Sequence, residues 1–561
     1  MAGVSVLKER TPIAIVVLGT GAIDTAQRIQ ARYPGSLIHG LASRVQADVA
    51  FNELGPHLRE LHASNTPIVA LCAAGIVIRC LASLLADKTF EPPVLAVAED
   101  GSAVVPLLGG LEGVNVMARE IAAALGVTPA ITTSGELRFG TCLLNPPAGY
   151  VLADIEQGKR FVSDLLAGAT TRVEGNAPWL DQAALPRAAD ASLAIRITPH
   201  TSDADGELMI HPRCVIVCVT ALSSETSVVE RIRHALREHR IAPMSLATML
   251  APSSMMTSAK LVEAAHVLDV PLRFGALPPG FETFESSNDG MVIAVAPRPI
   301  DASALGQARG TLAVIGLGPG SADLMVPAAK DALAQADDVL GYETYIRMAG
   351  PFKPHQILHC TDNREEMQRA RHAFELASTG RNVVVVSSGD PGVFAMAAAV
   401  LEALDQAQDN AAWAAVELRI LPGVSAALAT AARAGAPLGH DFCMLSLSDN
   451  LKPWTVIETR LRHAAQADLV MAFYNPISRA RPWQLDRALD IVREHRAGTT
   501  TIVLGRNIGR PGETLTTTTL ENLRSDQVDM RTMVIVGSST TRSFARSDGN
   551  GEWAYTPRWY E

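Results

Sequence analysis

Uninterrupted apolar runs, each closed by glycine, proline or a charge, recur along the chain and predict buried strands. In the first half they are PIAIVVLG (12–19), IVALCAAG (68–75), PVLAVAED (93–100) and CVIVCVTA (214–221). In the second half they are TLAVIG (311–316), DDVLGY (337–342), NVVVVSSG (382–389), ELRILPG (417–423), DLVMAFYNP (468–476), TTIVLGR (500–506) and TMVIVGSS (532–539). Other stretches space their apolar residues helically. VNVMAREIAAALG (114–126) predicts an amphipathic helix with Gly126 as its C-cap. SVVERIRHALREH (227–239) and SAKLVEAAHVLD (258–269) predict two more. Strand, turn and helix in repetition predict a multidomain α/β protein.

The pattern also predicts the divisions. An α/β domain covers 1–135. An irregular stretch, rich in Pro, Asp and Gly, follows over 136–210. A small α/β domain covers 211–297, and PRPIDASALGQARG (298–310) reads as a linker. An α/β domain of two subdomains, about 311–427 and 428–546, follows, with a tail at 547–561. The length of 561 residues agrees, since it leads one to expect three or four domains.

Charge and cysteine usage narrow the function classes. The net charge of −10 and an aromatic content of 5% argue against a nucleic-acid partner. The seven cysteines include no CxxC pair, which predicts reduced thiols and neither a disulfide framework nor a metal site. Cys214 and Cys218 fall on one face of their strand and are expected to be buried. The N-terminus lacks a signal-peptide plan and no apolar run reaches membrane-spanning length, so a cytoplasmic protein without membrane contact is expected.

The chemistry concentrates in three loops, each following a predicted strand. GLGPG (316–320) has Ser321 where a dinucleotide fingerprint would place its third glycine, which weakens a nicotinamide-cofactor reading. Pro327 is expected in the first turn of the next helix. SSGDPGVFA (387–395) presents Asp390 at its tip, and LPGVSAAL (421–428) offers Ser425 as a helix cap. Open α/β sheets bind ligands at the carboxyl ends of their strands, so the three loops predict a cofactor site.

In order and spacing these loops resemble those of the tetrapyrrole methylases, which use S-adenosyl-L-methionine. The similarity continues through APLGHDFCMLSLSDNLKPW (436–454), FYNPISRARPWQL (473–485), GRNIGRPGE (505–513) and MVIVGSSTTRSF (533–544), and covers roughly 311–546. The later blocks resemble the branch that methylates carbon 17 of precorrin-3B and contracts the macrocycle to precorrin-4, in cobalamin synthesis. The resemblance implies a fold of two α/β subdomains with the cofactor between them, a tetrapyrrole substrate and a homodimer. It places the methyl donor against Pro319, Gly389, Asp390 and Val393, and against Ser425 and Ala426. Tyr474, Asn475, Asn507 and Ile508 would complete the cofactor contacts. Ring contraction needs a base, for which His440, Asp441 and Asp449 are candidates. Arg481 and Arg506, with Arg479 and Arg510 nearby, are candidate partners for substrate carboxylates.

Residues 68–136 and 214–297 resemble the cobalt-precorrin-5A hydrolases. That family's Gly-rich loop carries His, whereas here it reads Gly109, Gly110, Leu111, Glu112, Gly113, Val114, Asn115. Leucine cannot serve as acid or base. The expectation is a degenerate region that binds a tetrapyrrole for the fused methylase. A working hydrolase with Glu112 as base, and a cobalt-containing methylase substrate, are the alternatives.

Overall fold

The computed structural model describes residues 12–33, 35–85, 91–202, 207–222, 227–286, 290–362, 365–478, 482–549 and 551–559. The chain folds as two units, Met1–Arg309 and Gly310–Glu561.

The first unit opens with a six-stranded sheet. Its strand order is Val49–Phe51, Leu37–Leu41, Ala14–Val17, Ile68–Leu71, Val94–Val97, Val104–Leu108, parallel except for the last pairing. Helices cover both faces, so the strands must be apolar on both sides. Ile15, Val17, Val69 and Leu71 pack with Ile29 and Ile121 on one face, and Ala14, Val16, Ile68 and Ala70 pack with Leu58 and Leu81 on the other. The helix Val114–Leu125 ends on Gly126 at φ 75°, as its sequence predicts. A five-stranded sheet further on is centred on Val215–Val219, with Cys214 and Cys218 both buried. Burial pushes both thiols up to about 11, which makes them unreactive core residues.

Three boundaries differ from the sequence reading. The described residues of 136–210 carry regular structure. They contain the sheet Tyr150–Leu152, Glu207–Pro212, Leu193–Ile197, Thr171–Glu174 and a core that includes Phe139, Phe161, Leu165, Ile195 and Leu208. Its strands are short and carry charges, as in TRVE and LAIRI, which hides them from an apolar-run search. The segment 298–307 packs on the first unit. Arg273 donates to the carbonyls of Ser303, Leu305 and Gly306, and Gln307 pairs with Phe274. The tail contains the strand Glu552–Tyr555, which pairs with Arg542–Ala545 and with Gly435–Ala436.

The second unit carries two principal sheets. The first is wholly parallel, in the order Ile357–Thr361, Asp338–Tyr342, Asn382–Ser387, Thr311–Gly316, Glu417–Leu421. Alternation along its strands serves two cores. Leu312, Val314, Val383 and Val385 meet Phe374 and Val400, while Ala313, Ile315, Val384 and Val386 meet Ala329 and Ile346. The helix Pro327–Gln335 begins on its proline. The second sheet runs Phe442–Ser446, Val470–Tyr474, Thr532–Val536, Thr501–Arg506, Thr514–Thr519 and is mixed. The helix Ala426–Ala434 leads out of the first sheet and packs on the second, beside Val470, Val503 and Ile535.

Candidate functional site

Three neighbouring strands of the parallel sheet, Asn382–Ser387, Thr311–Gly316 and Glu417–Leu421, release the three Gly/Pro loops side by side. Glycine makes this possible. A Cβ on Gly316 would lie 2.8 Å from Gly423 Cα, and one on Gly423 would lie 2.9 Å from Gly316 Cα. Gly389 takes φ 70° and exchanges backbone hydrogen bonds with Gly318, its N–H donating to the Gly318 carbonyl at 2.8 Å. Asp390 spans two loops. Its Oδ1 accepts from Gly392 N–H at 2.8 Å and its Oδ2 from Gly423 N–H at 3.0 Å. Ser425 caps the helix Ala426–Ala434, with Oγ accepting from Leu428 N–H.

The second sheet meets these loops with the carboxyl ends of its own strands. Tyr474 closes its strand, and its hydroxyl accepts from Ala427 N–H at 3.2 Å. Asn475, at φ 51°, donates from Nδ2 to Ser446 Oγ at 3.1 Å. Asn507 (φ 52°) and the buried Ile508 follow Thr501–Arg506. Two residues on, Arg510 reaches the opposite sheet. Its Nε donates to the Pro319 carbonyl at 2.6 Å and its terminal nitrogen to Ser388 Oγ at 3.2 Å. Burial holds its guanidinium below the usual arginine range. The Tyr474–Ala427 and Arg510–Pro319 hydrogen bonds thus bring the strand ends that carry Tyr474, Asn475, Asn507 and Ile508 against the loops that carry Pro319, Gly389, Asp390, Val393, Ser425 and Ala426.

Other sequence-predicted residues are placed differently. His440 and Asp441 precede Phe442–Ser446, and the Asp441 carbonyl accepts from Val470 N–H at the start of the next strand. They therefore lie on the amino edge of the sheet, a five-residue strand (roughly 16 Å) away from Tyr474 and Asn475. Asp441 is 85% exposed, and its N–H donates to His440 Nδ1. Both thus stand at the strand end opposite Tyr474 and Asn475. Asp449 follows the carboxyl end of the same strand, at the cleft edge, and accepts from Gln484 Nε2 at 3.3 Å. Arg506 donates to Asp529 Oδ2 at 3.0 Å, so its charge is already answered. Arg479 and Arg481 lie outside the described residues.

Phe394 and Lys452 escaped the sequence reading. Phe394 sits at φ 54°, is 52% exposed, and holds its ring 5.2 Å from that of Tyr474. Lys452 Nζ lies 5.9 Å from the Phe394 ring centre. A bulky residue in the left-handed region was the available signal only after the backbone was known.

In the first unit, Gly109 (φ 83°) and Gly113 (φ 94°) bracket the turn Gly110–Glu112. Leu111 and Glu112 are exposed there. The polar cluster lies just beyond. Buried Asn115 donates from Nδ2 to Glu136 Oε1 at 2.7 Å and to Thr133 Oγ1 at 3.0 Å, and Arg119 pairs with the other Glu136 oxygen. Among the described residues no cluster of three metal-ligating side chains occurs, and no helix is long and apolar enough to cross a membrane.

Residues 311–524 match the family of tetrapyrrole (corrin/porphyrin) methylases, and residues 56–136 match the family described as cobalamin synthesis G N-terminal. A precorrin-3B C(17)-methyltransferase from Sinorhizobium sp. is 51% identical over 251 residues, which are 45% of this chain and 97% of that protein. The cobalamin biosynthesis protein CobIJ of Mycobacterium tuberculosis is 46% identical over 255 residues, 45% of this chain and 48% of that one. The crystal structure of the methyltransferase CobJ is 50% identical, covering 44% of this chain and all of that one, with a TM-score of 0.42. Through its second unit, the chain belongs to the tetrapyrrole (corrin/porphyrin) methylase family.

Proposed function

We propose that the second unit methylates carbon 17 of precorrin-3B, with contraction of the macrocycle to precorrin-4, using S-adenosyl-L-methionine. The carrying observation is the convergence of three glycine-rich loops from one sheet on the Tyr474–Asn475 and Asn507–Ile508 strand ends of the other. It lies within a stretch half identical to an enzyme named for that reaction.

The cleft suits the donor. Its first-sheet side is largely backbone, made approachable by Gly389 and the paired Gly316 and Gly423. When bound, the sulfonium supplies the methyl group, its carbon–sulfur bond breaking as the carbon–carbon bond to the ring forms and leaving a neutral thioether. The protein's share is orientation. Asp390 fixes two loops against each other, Ser425 fixes the helix start, and Arg510 holds the two strand edges together. Ring contraction also requires removal of a hydroxyl proton, and Asp449, at the cleft edge, is the carboxylate assigned to it.

The first unit is a tetrapyrrole-binding region without hydrolase chemistry. Leu111 occupies the loop where a His would be needed, and the Glu136 carboxylate is taken up by Asn115 and Arg119. The resemblance supports a homodimer through the methylase domain and a cytoplasmic setting.

The test is the full chain supplied with precorrin-3B and S-adenosyl-L-methionine, with products read by mass. One added methyl and a contracted ring are expected. Methylation of only the cobalt-containing counterpart would replace the substrate assignment.

A further inference from the structure

The loop 447–453 runs from the strand Phe442–Ser446 to the helix Trp454–Gln466 and is pinned at both ends. Ser446 Oγ accepts from Asn475 at the cleft, and Asp449 accepts from Gln484. At the far end the Trp454 and Trp483 rings pack edge to face, 4.9 Å apart. Between these pins the tip stands proud, with Leu451 91% exposed. Lys452 turns back from that tip toward the opposite sheet, where its ammonium approaches the ring of Phe394.

Three features of this pair call for an occupant. Among the described residues the half-buried Lys452 ammonium has no hydrogen-bond or ion-pair partner, and an aromatic face lies near it. Burial and the Arg460 charge hold it below the usual lysine range, so its charged form lacks compensation. Phe394 keeps a large apolar ring exposed at the cleft on a left-handed backbone, a costly arrangement of the kind found at ligand sites. Phe394 follows Val393 in the chain and holds its ring beside Tyr474 of the candidate donor site, and Lys452 reaches that ring, so a molecule reacting there would pass close to both.

We propose that Lys452 and Phe394 form a two-part recognition rim for the substrate, the ammonium pairing with one peripheral carboxylate and the ring covering an apolar face of the macrocycle. The inference rests on the proposed tetrapyrrole substrate. It supplies a cation for the carboxylate arms that Arg506, already paired with Asp529, does not. A lysine point charge suits this task because the arms are flexible and no bidentate geometry is imposed.

The test uses the full chain with Lys452→Met and Lys452→Arg, precorrin-3B turnover, and separate titration of S-adenosylhomocysteine. Lys452→Met should raise KM about tenfold or more, with kcat within about twofold, as expected for lost uniform binding. Lys452→Arg should recover most of the affinity, and binding of S-adenosylhomocysteine should be unchanged in both variants. An unchanged KM in Lys452→Met would overturn the proposal. So would an equal loss of S-adenosylhomocysteine affinity, which would assign the lysine to the donor. If the wild-type chain itself fails to methylate precorrin-3B, the function reading falls instead.

Discussion

Asp390 answers two backbone amides that belong to different loops, and nothing else among the described residues does so at the cleft. Replacing it with alanine leaves the Gly392 and Gly423 N–H groups without that acceptor and frees the loops from each other. Asp390→Ala should weaken S-adenosylhomocysteine binding about tenfold or more, read by calorimetry. A second residue-scale effect lies in the first unit. Burial, then His57, with its Nε2 3.0 Å from His39 Nδ1, lower His39 from 6.5 to about 4, against a smaller opposing pull from Asp48. Between those values the unfolded chain binds a proton that the folded one refuses. Stability should therefore fall as the pH drops from 6.5 toward 4, by at most about 3 kcal/mol. Urea unfolding across that range should show the slope, and His39→Leu should flatten it.

At the scale of elements, the helix Ala426–Ala434 and the strand Thr501–Arg506 approach each other over Gly505. A Cβ there would lie 2.5 Å from Thr430 Oγ1, whose side chain is fully buried. Gly505→Ala should cost about 1–3 kcal/mol in unfolding free energy, because neither backbone can retreat. Elements were also where the sequence was most and least readable. TLAVIG, NVVVVSSG and ELRILPG show themselves because each apolar run stops at a Gly/Pro turn, and that turn is the site. FCMLS lacks such a stop. Without a strand over Phe442–Ser446, His440 and Asp441 could not be assigned to the sheet edge opposite the cleft. Lys452 and Phe394 are 58 residues apart in loops that follow strands of different sheets, and local spacing carries no trace of their meeting. The strands of 136–210 are hidden because they are short and charges interrupt their apolar residues.

At the scale of the molecule, each unit has its own cores, so the full chain should unfold in two transitions. S-adenosylhomocysteine should raise the midpoint of one only, that of the second unit. Acid should separate them further. In the second unit, burial of Asp338 would raise its carboxyl, but Arg381 and His359 outweigh that and hold it below its ordinary value. That contribution persists until the pH falls below the ordinary carboxylate range, whereas the His39 contribution is already fading near pH 6. Under the proposed function, joining the units in one chain would raise the local concentration of a labile intermediate for the second site without any new contact.

The Arg510 bridge to Pro319 and Ser388 bears on traffic through the cleft. A guanidinium hydrogen-bonded across the two strand edges opposes their parting when the donor enters or the spent thioether leaves. The side bounded by 388–395 and 447–453 leaves Phe394 and Leu451 exposed. Under the proposed function, one side of the cleft would serve both the small molecule and the large one. A seated macrocycle would then cover the donor, and initial-rate kinetics should show the donor binding first.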